Sequence, residues 1–343
     1  MPDRSTLDHT TAGRTLRDPD GRAAMPPMAG AELRSLVDDY FTCEFATLSA
    51  SGVPVAWPAV ALVDPDTGSV TLTTSIAAPR KAFNIRRDPR VALLFSDPTG
   101  SGHRDLPQVL VRGTAVCPDE IHTSPAGLEE YWSRQYRRQP ASLANSATAL
   151  SRWLMDLYYL RLVITVTPTS VEVLPPLPDL APGDVSRVGR SDLSPYAQLA
   201  RKLPPLRSGV LSWSAGAEPP VVRRVRLSTD PVEQQLRLTT LGGAQPPTGP
   251  ASLLAHYHDE KMWDLRQTAA LGQVVAAGDG VAFRPERLLP APAFDAGPLA
   301  RLSLLRDLRR TGRRYLERRQ LSRPRVAWDE FKRLQPTRKE LSS

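Results

Sequence analysis

The chain has 343 residues, 41% of them hydrophobic and 23% charged, so it is long enough for two cores and too apolar for a disordered polymer. Its formal net charge of +8 sits at one end: residues 301–343 hold 14 Lys and Arg against 5 Asp and Glu, which leaves a near-neutral body and speaks against a nucleic-acid-binding fold. Cys43 and Cys117 lack the spacing of a metal site or redox pair, and no apolar run of 18 residues or signal-like N-terminus occurs, so a cytoplasmic protein without a metal is expected.

Residues 1–28 mix charges with Gly, Pro and Thr and are expected to form a disordered leader. Leu33, Leu36, Val37 and Tyr40 then fall at helical spacing, predicting a short helix that feeds a strand at Phe45–Ser49 and a turn at Ser51-Gly52. Val53–Val63 and Ser69–Thr74 read as a hairpin closed by Asp64-Pro65-Asp66-Thr67-Gly68, with Pro58 confined to an edge or bulge because it has no N–H for a ladder. Ala78–Arg87 is a short helix ended by Asp88-Pro89. Arg90–Phe95 and Gln108–Cys117 alternate as strands, Ser124–Leu160 holds two helices split near Pro140, and Leu162–Leu174 returns as a strand pair around Thr167-Pro168-Thr169.

A linker at 177–200 separates this series from a second that echoes it. Leu48-Ser-Ala-Ser-Gly52 resembles Leu211-Ser-Trp-Ser-Ala-Gly216, and Leu72-Thr-Thr74 resembles Leu238-Thr-Thr240. Leu271–Ala277 corresponds loosely to the strand near Val109, and Gly280–Leu288 to Pro168–Leu174. The pattern predicts an α+β chain, mainly antiparallel β: one unit at 29–176, a second at 201–292, and a basic helical tail at 293–343. In that tail Leu305, Leu308, Gly312 and Tyr315 share one helical stripe ringed by Arg306, Arg309, Arg310, Arg313 and Arg314, so docking on the body is expected in preference to binding nucleic acid or an anionic membrane.

The most specific stretch runs from Leu72 to Phe95: a strand ends in Thr73-Thr74-Ser75, and a helix opens with Arg80-Lys81. Hydroxyls, free amides and cations thus converge where a phosphate could sit. Lys81-Ala-Phe-Asn84-Ile85 followed by Asp88-Pro89, with Arg112-Gly113-Thr114-Ala115 further on, resembles the split-barrel flavin proteins of the pyridoxamine 5'-phosphate oxidase-like superfamily over residues 30–176. The resemblance implies two FMN-binding split barrels in tandem, with the phosphate and ribityl chain met by Thr73, Thr74 and Ser75 and the charge neutralised by Arg80 and Lys81. It further implies Asn84 at the helix, as a cofactor contact or a brace, and main-chain groups of Trp57, Pro58 and Ala59 against the ring. The cofactor implied is FMN, with a deazaflavin as the alternative and haem as a further one.

No catalytic triad is evident, and His9, His103 and His122 read as solvated. The second unit lacks a counterpart of Arg80-Lys81 after Leu238-Thr-Thr240, so its site is expected to be degenerate. His256 and His258 could ligate haem or a metal, but an i, i+2 pair does not share a helical face, which favours structural roles. The implied function is a flavin-dependent oxidoreductase acting on an unidentified small organic molecule; the alternative is a non-catalytic flavin-, deazaflavin- or haem-binding protein. An intramolecular pseudo-dimer of the two barrels is the expected assembly, a homodimer the other option.

Overall fold

The computed structural model describes residues 28–178, 192–204, 206, 208–262, 264–290 and 298–336. The expected leader, except for Met28, and the middle of the expected linker lie outside the described residues.

A short helix α1 (Gly30–Val37) precedes β1 (Cys43–Leu48), β2 (Pro54–Ala59), β3 (Ala61–Val63) and β4 (Val70–Ser75). The turn between β3 and β4 is held as its residue types require: Asp64 Oδ1 accepts from the amides of Asp66 at 2.9 Å and Thr67 at 3.0 Å, and Gly68 takes a φ of 71°. Helix α2 (Arg80–Arg87) leads to β5 (Arg90–Phe95) and β6 (Pro107–Val116). Next come α3 (Glu129–Arg138), a 3-10 segment at Pro140–Ser146, α4 (Ala149–Tyr159) and β7 (Arg161–Pro176). The seven strands form one antiparallel sheet in the order β2-β1-β5-β6-β7-β4-β3, with Pro58 on an edge strand.

The final strand pair expected around Pro168 is instead one 16-residue strand, β7. Its ladder to β6 slips between Arg112 and Gly113. The slip absorbs Pro168 without ending the strand, and Gly113 permits it, because a Cβ there would lie 2.2 Å from the Thr167 carbonyl oxygen.

After α5 (Pro195–Ala200), six strands close a barrel: β8 (Gly209–Ala215), β9 (Glu218–Asp230), β10 (Gln235–Thr240), β11 (Gly249–His258), β12 (Leu265–Ala277) and β13 (Gly280–Leu289), in the order β10-β13-β12-β11-β8-β9. This is the circuit of the first sheet repeated. β9 pairs with β8 through its first part and with β10 through its second, changing partner at Val225. In the first sheet β2 pairs with β1 and β3 with β4, the two segments being separated only at Val60. The chain is therefore mixed α+β with two curled antiparallel sheets of matching strand order, consistent with tandem split barrels. Helix α2 of the first copy is replaced in the second by the loop 241–248, and α3 with α4 by the turn between β12 and β13.

Alternation along β1 and β5 explains how the two copies join. Phe45, Val91 and Leu93 face the first core, while Ala46, Ala92 and Leu94, with Leu110 of β6, pack against Val210, Val222, Leu254 and Ala269 of the second barrel. Both faces of these strands are thereby removed from water.

The basic C-terminal segment forms α6 (Pro298–Arg318) and α7 (Trp328–Arg333) and is built into the first core. Tyr315, Leu316 and Phe331 belong to that core, Leu308 packs on it, and Gly312 sits where a Cβ would be 3.1 Å from Leu157. Phe331 meets Trp132 and Tyr159 edge to face at 4.9 and 5.1 Å between ring centres. Arg306, Arg310, Arg313 and Arg314 are exposed, but Arg309 is buried against Trp153 and beside Asp156. Among the described residues no helix is long and apolar enough to cross a membrane.

Candidate functional site

A cavity of about 440 Å³ opens between the first sheet and the end of β11 and start of β12. Trp57, Pro58, Ala59, Thr73, Thr74, Ser75, Arg80 and Lys81 all line it. Asn84 does not. It faces the sheet, where its Nδ2 donates to Thr47 Oγ1 at 2.9 Å and its Oδ1 accepts from Arg87 at 2.9 Å, so it ties α2 to β1.

The three hydroxyl residues end β4, with side chains that are nearly enclosed. Thr74 donates to the Ala78 carbonyl at 2.9 Å, and Ser75 donates to the Leu157 carbonyl at 2.9 Å while accepting from the Ala77 amide. Thr73 bonds Tyr131 at 3.0 Å and accepts from Arg161 Nε and Nη2 at 2.8 and 2.6 Å. Each hydroxyl has one proton to give, and here each is already given within the protein. The groups left to meet an anion are the cations and the first-turn amides of α2, whose N-terminus opens on the cavity.

Arg161 was not foreseen from the sequence. It opens β7, is buried, lies 5.0 Å from the centre of the Tyr158 ring, and has no carboxylate partner among the described residues. Lys81 is half-buried and likewise has none. Burial lowers the Lys81 ammonium to about 8, with the Arg161 charge adding to the effect and the Cys43 thiol opposing it. Two uncompensated cations thus flank the end of β4. Tyr131, Gln135 and Gln139 come from α3 and its C-terminal flank, and Tyr158 from α4. The sequence marked these segments only as helices; the signal for Arg161 was a base at the mouth of a strand that opens on the apolar run Leu162–Ile164.

The opposite wall comes from the second barrel, with His256, Tyr257, His258, Arg266 and Gln267 among its residues. The two histidines lie on a strand and not on a helix as expected, and in a strand i and i+2 do share a face. His256 Nε2 is 2.8 Å from Oε1 of the fully buried Glu44, which also accepts from Arg224 at 2.6 Å and, through Oε2, from Ser96 at 2.9 Å. His258 Nδ1 lies 3.0 Å from the Asp259 carbonyl, and its Nε2 is 3.5 Å from Thr42 Oγ1 and 3.9 Å from Asp97. Burial would raise both carboxylates, yet Arg224 and His256 keep Glu44 below its ordinary range, and Arg224 with both imidazoles keeps Asp97 at about 2. Among the described residues no group of three or more His, Cys, Asp or Glu is arranged to hold a metal ion.

The matching position across the pseudo-symmetry is filled. The Leu241 carbonyl accepts from Gln108 Nε2 at 2.6 Å, a Cβ on Gly243 would lie 2.4 Å from Arg223 Nε, and Arg223 is paired with Glu172 at 2.7 Å.

Among solved structures, a conserved hypothetical protein from Mycobacterium tuberculosis is 24% identical, with 52% of this chain and 99% of that one covered at a TM-score of 0.32. An F420 reductase is 20% identical over 40% and 94% of the two chains, with a TM-score of 0.27. The haem storage protein HutZ from Vibrio cholerae is 14% identical over 43% and 95%, with a TM-score of 0.30. No match is found among curated proteins. The family model described as pyridoxamine 5'-phosphate oxidase matches residues 29–165, and that segment of the chain is similar to this family.

Proposed function

We propose that the cavity binds FMN or a phosphate-bearing deazaflavin and that the chain is an oxidoreductase for a small organic molecule. One observation carries the reading: Lys81 and Arg161, cations without carboxylate partners among the described residues, converge beside the end of β4 in the segment similar to this family. Leaving two positive charges so enclosed costs free energy that an anionic ligand offsets. Lys81, Arg161 and Arg80 would hold the phosphate, with Thr73, Thr74 and Ser75 shaping its seat and main-chain groups of Trp57, Pro58 and Ala59 lying against the ring. Such a cofactor supplies hydride or electron transfer, while the protein binds and orients it.

On this reading the unit at 29–176 carries the phosphate contacts and the unit at 201–292 is a degenerate copy that supplies the facing wall. The filled position around Gly243 and Arg223 supports one ligand per chain. The absorption spectrum of the purified protein, and of whatever heat releases from it, tests the proposal together with FMN titration. A yellow chromophore or FMN binding at about one per chain is the expected result. A colourless protein that takes up neither FMN nor a deazaflavin overturns it.

Two imidazoles on one strand face at the cavity support a second reading, haem bound without turnover. Against it, His256 Nε2 is engaged by Glu44 and His258 Nδ1 by a main-chain carbonyl. The same spectrum separates the two.

A further inference from the structure

Glu44 is the second residue of a strand that is otherwise mostly apolar, and it is 0% exposed. A charge so placed is retained only where partners compensate it. Among the described residues, the side chains that compensate it, other than Ser96, come from the second barrel: Arg224 on β9 and His256 on β11. Asp97, just beyond β5, adds a second carboxylate within reach of His258. The groups packed around His256 are thus Glu44 from β1, Asp97 following β5, Arg224 from β9, its strand neighbour His258, and Arg266 and Gln267 at the start of β12, which share the cavity wall. Taking the enclosed core of this set, Glu44, Asp97 and Arg224 sum to −1 when both imidazoles are neutral, and to zero when one of them is protonated.

The two imidazoles are not equivalent. His258 has both ring nitrogens engaged or close to a partner. His256 uses Nε2 on Glu44, and its Nδ1 has no hydrogen-bond partner among the described residues although the residue lines the cavity. We infer that His256 is a proton-exchanging contact for the ligand of this cavity, supplied by the second barrel and held in place by Glu44. With Nε2–H directed at Glu44, neutral Nδ1 accepts from a ligand N–H or O–H. When the ligand brings negative charge, a proton from solvent settles on Nδ1, and the imidazolium donates to the ligand and neutralises the buried cluster. No ligand bond is broken in this step. The inference rests on the cofactor reading above and assigns the second barrel a chemical part in it.

The test follows the ring nitrogens of His256 by NMR in the full chain labelled with ¹⁵N-histidine, the signal being assigned by its loss in His256→Gln. FMN and inorganic phosphate are the two probes. FMN is expected to raise the His256 titration midpoint by about one pH unit, whereas phosphate alone, seated at the cationic end, leaves it in place. Calorimetry near pH 6.5, where Lys81 is already charged, is expected to give an FMN binding heat that depends on the ionisation heat of the buffer, and this dependence is lost in His256→Gln. FMN binding that leaves His256 unmoved, with heats independent of buffer, overturns the inference while the cofactor reading stands. A folded protein that binds no FMN overturns the cofactor reading, and the inference falls with it.

Discussion

Replacing Lys81 by Met is expected to stabilise the ligand-free protein and at the same time to weaken its hold on a phosphate-bearing ligand. The ammonium titrates at about 8 in the fold against 10.5 ordinarily, chiefly because burial penalises the charge. The difference corresponds to at most ~3 kcal/mol, and partial exposure of the side chain reduces it to about 1–3 kcal/mol. The folded pKa lies below the unfolded one, so below about pH 8 both states are protonated and the full cost is present. Between about 8 and 10.5 the folded state has released the proton and the unfolded state has not, and wild-type stability rises with pH. Lys81→Met removes the cost, so its unfolding free energy at pH 7 exceeds that of the wild type and the gap closes by about pH 10. Ligand binding goes the other way: loss of a charge-assisted phosphate contact costs about 1.5–3 kcal/mol, roughly 10- to 150-fold in affinity. Urea unfolding at pH 7 and near pH 10, with FMN titration followed by fluorescence quenching, reads both quantities. A variant less stable than wild type at pH 7, or one with unchanged FMN affinity, refutes the reasoning.

Arg161→Gln is expected to lower FMN affinity by more than about 100-fold with the fold retained by circular dichroism, since it removes a charge and the two hydrogen bonds that hold Thr73. Phe331→Ala should cost about 3–5 kcal/mol in thermal or chemical unfolding, because its ring is 0% exposed among Trp132, Tyr159 and Trp328. Arg224→Leu leaves Glu44 without its closest cation and should cost a similar amount. It should also move acid unfolding to higher pH, because the lowered pKa values of Glu44 and Asp97 provide stability that is present above about pH 4 and lost as pH falls towards 2. Residues 28–178 expressed alone lack both the facing wall and the α6–α7 part of their own core, so they should lose the ligand and self-associate, which light scattering with FMN titration reads. A monomeric fragment with full-length affinity contradicts both the shared cavity and the part of the tail in the core.

The strands were legible because local chemistry and tertiary demand agree in them. Arg90–Phe95 alternates between two buried faces, and the Asp64–Gly68 turn needs only its own residues to close. The cationic end of the cavity was half legible. Arg80 and Lys81 follow Thr73-Thr74-Ser75 within one short segment, whereas Arg161 reaches the same place from 80 residues further on, through a ladder in which it pairs with Ser75. The stretch holding His256 and His258 was weighed as helical, whereas the second copy uses it as a strand, and this changes which residues share a face. The basic tail docks as its apolar stripe predicts. Its arginines dominate the charge count, but Leu308, Tyr315, Leu316 and Phe331, spread over two helices, fix it into the core. Removing residues 301–343 would therefore expose apolar core and not merely discard charge.

The repeated strand circuit suggests why the second copy could diverge as it did. In a symmetric pair of identical barrels every contact occurs twice, so Glu44 on β1 would need a partner that its own barrel can also tolerate at the equivalent position. Joining the copies in one chain removes that constraint. Arg224 and His256 can then face Glu44 from one side only, while the reciprocal position closes with Gly243 beside Arg223 and with Gln108 donating to the Leu241 carbonyl. The same freedom lets loop 241–248 stand where α2 stands in the first copy, with no Lys81 to compensate. One half keeps the uncompensated cations that call for an anionic ligand. The other half spends its charges on holding the two barrels together and presents a histidine to the shared cavity. On the proposed reading, this asymmetry between the two units leaves a single cavity per chain for the anionic ligand, which the FMN stoichiometry checks.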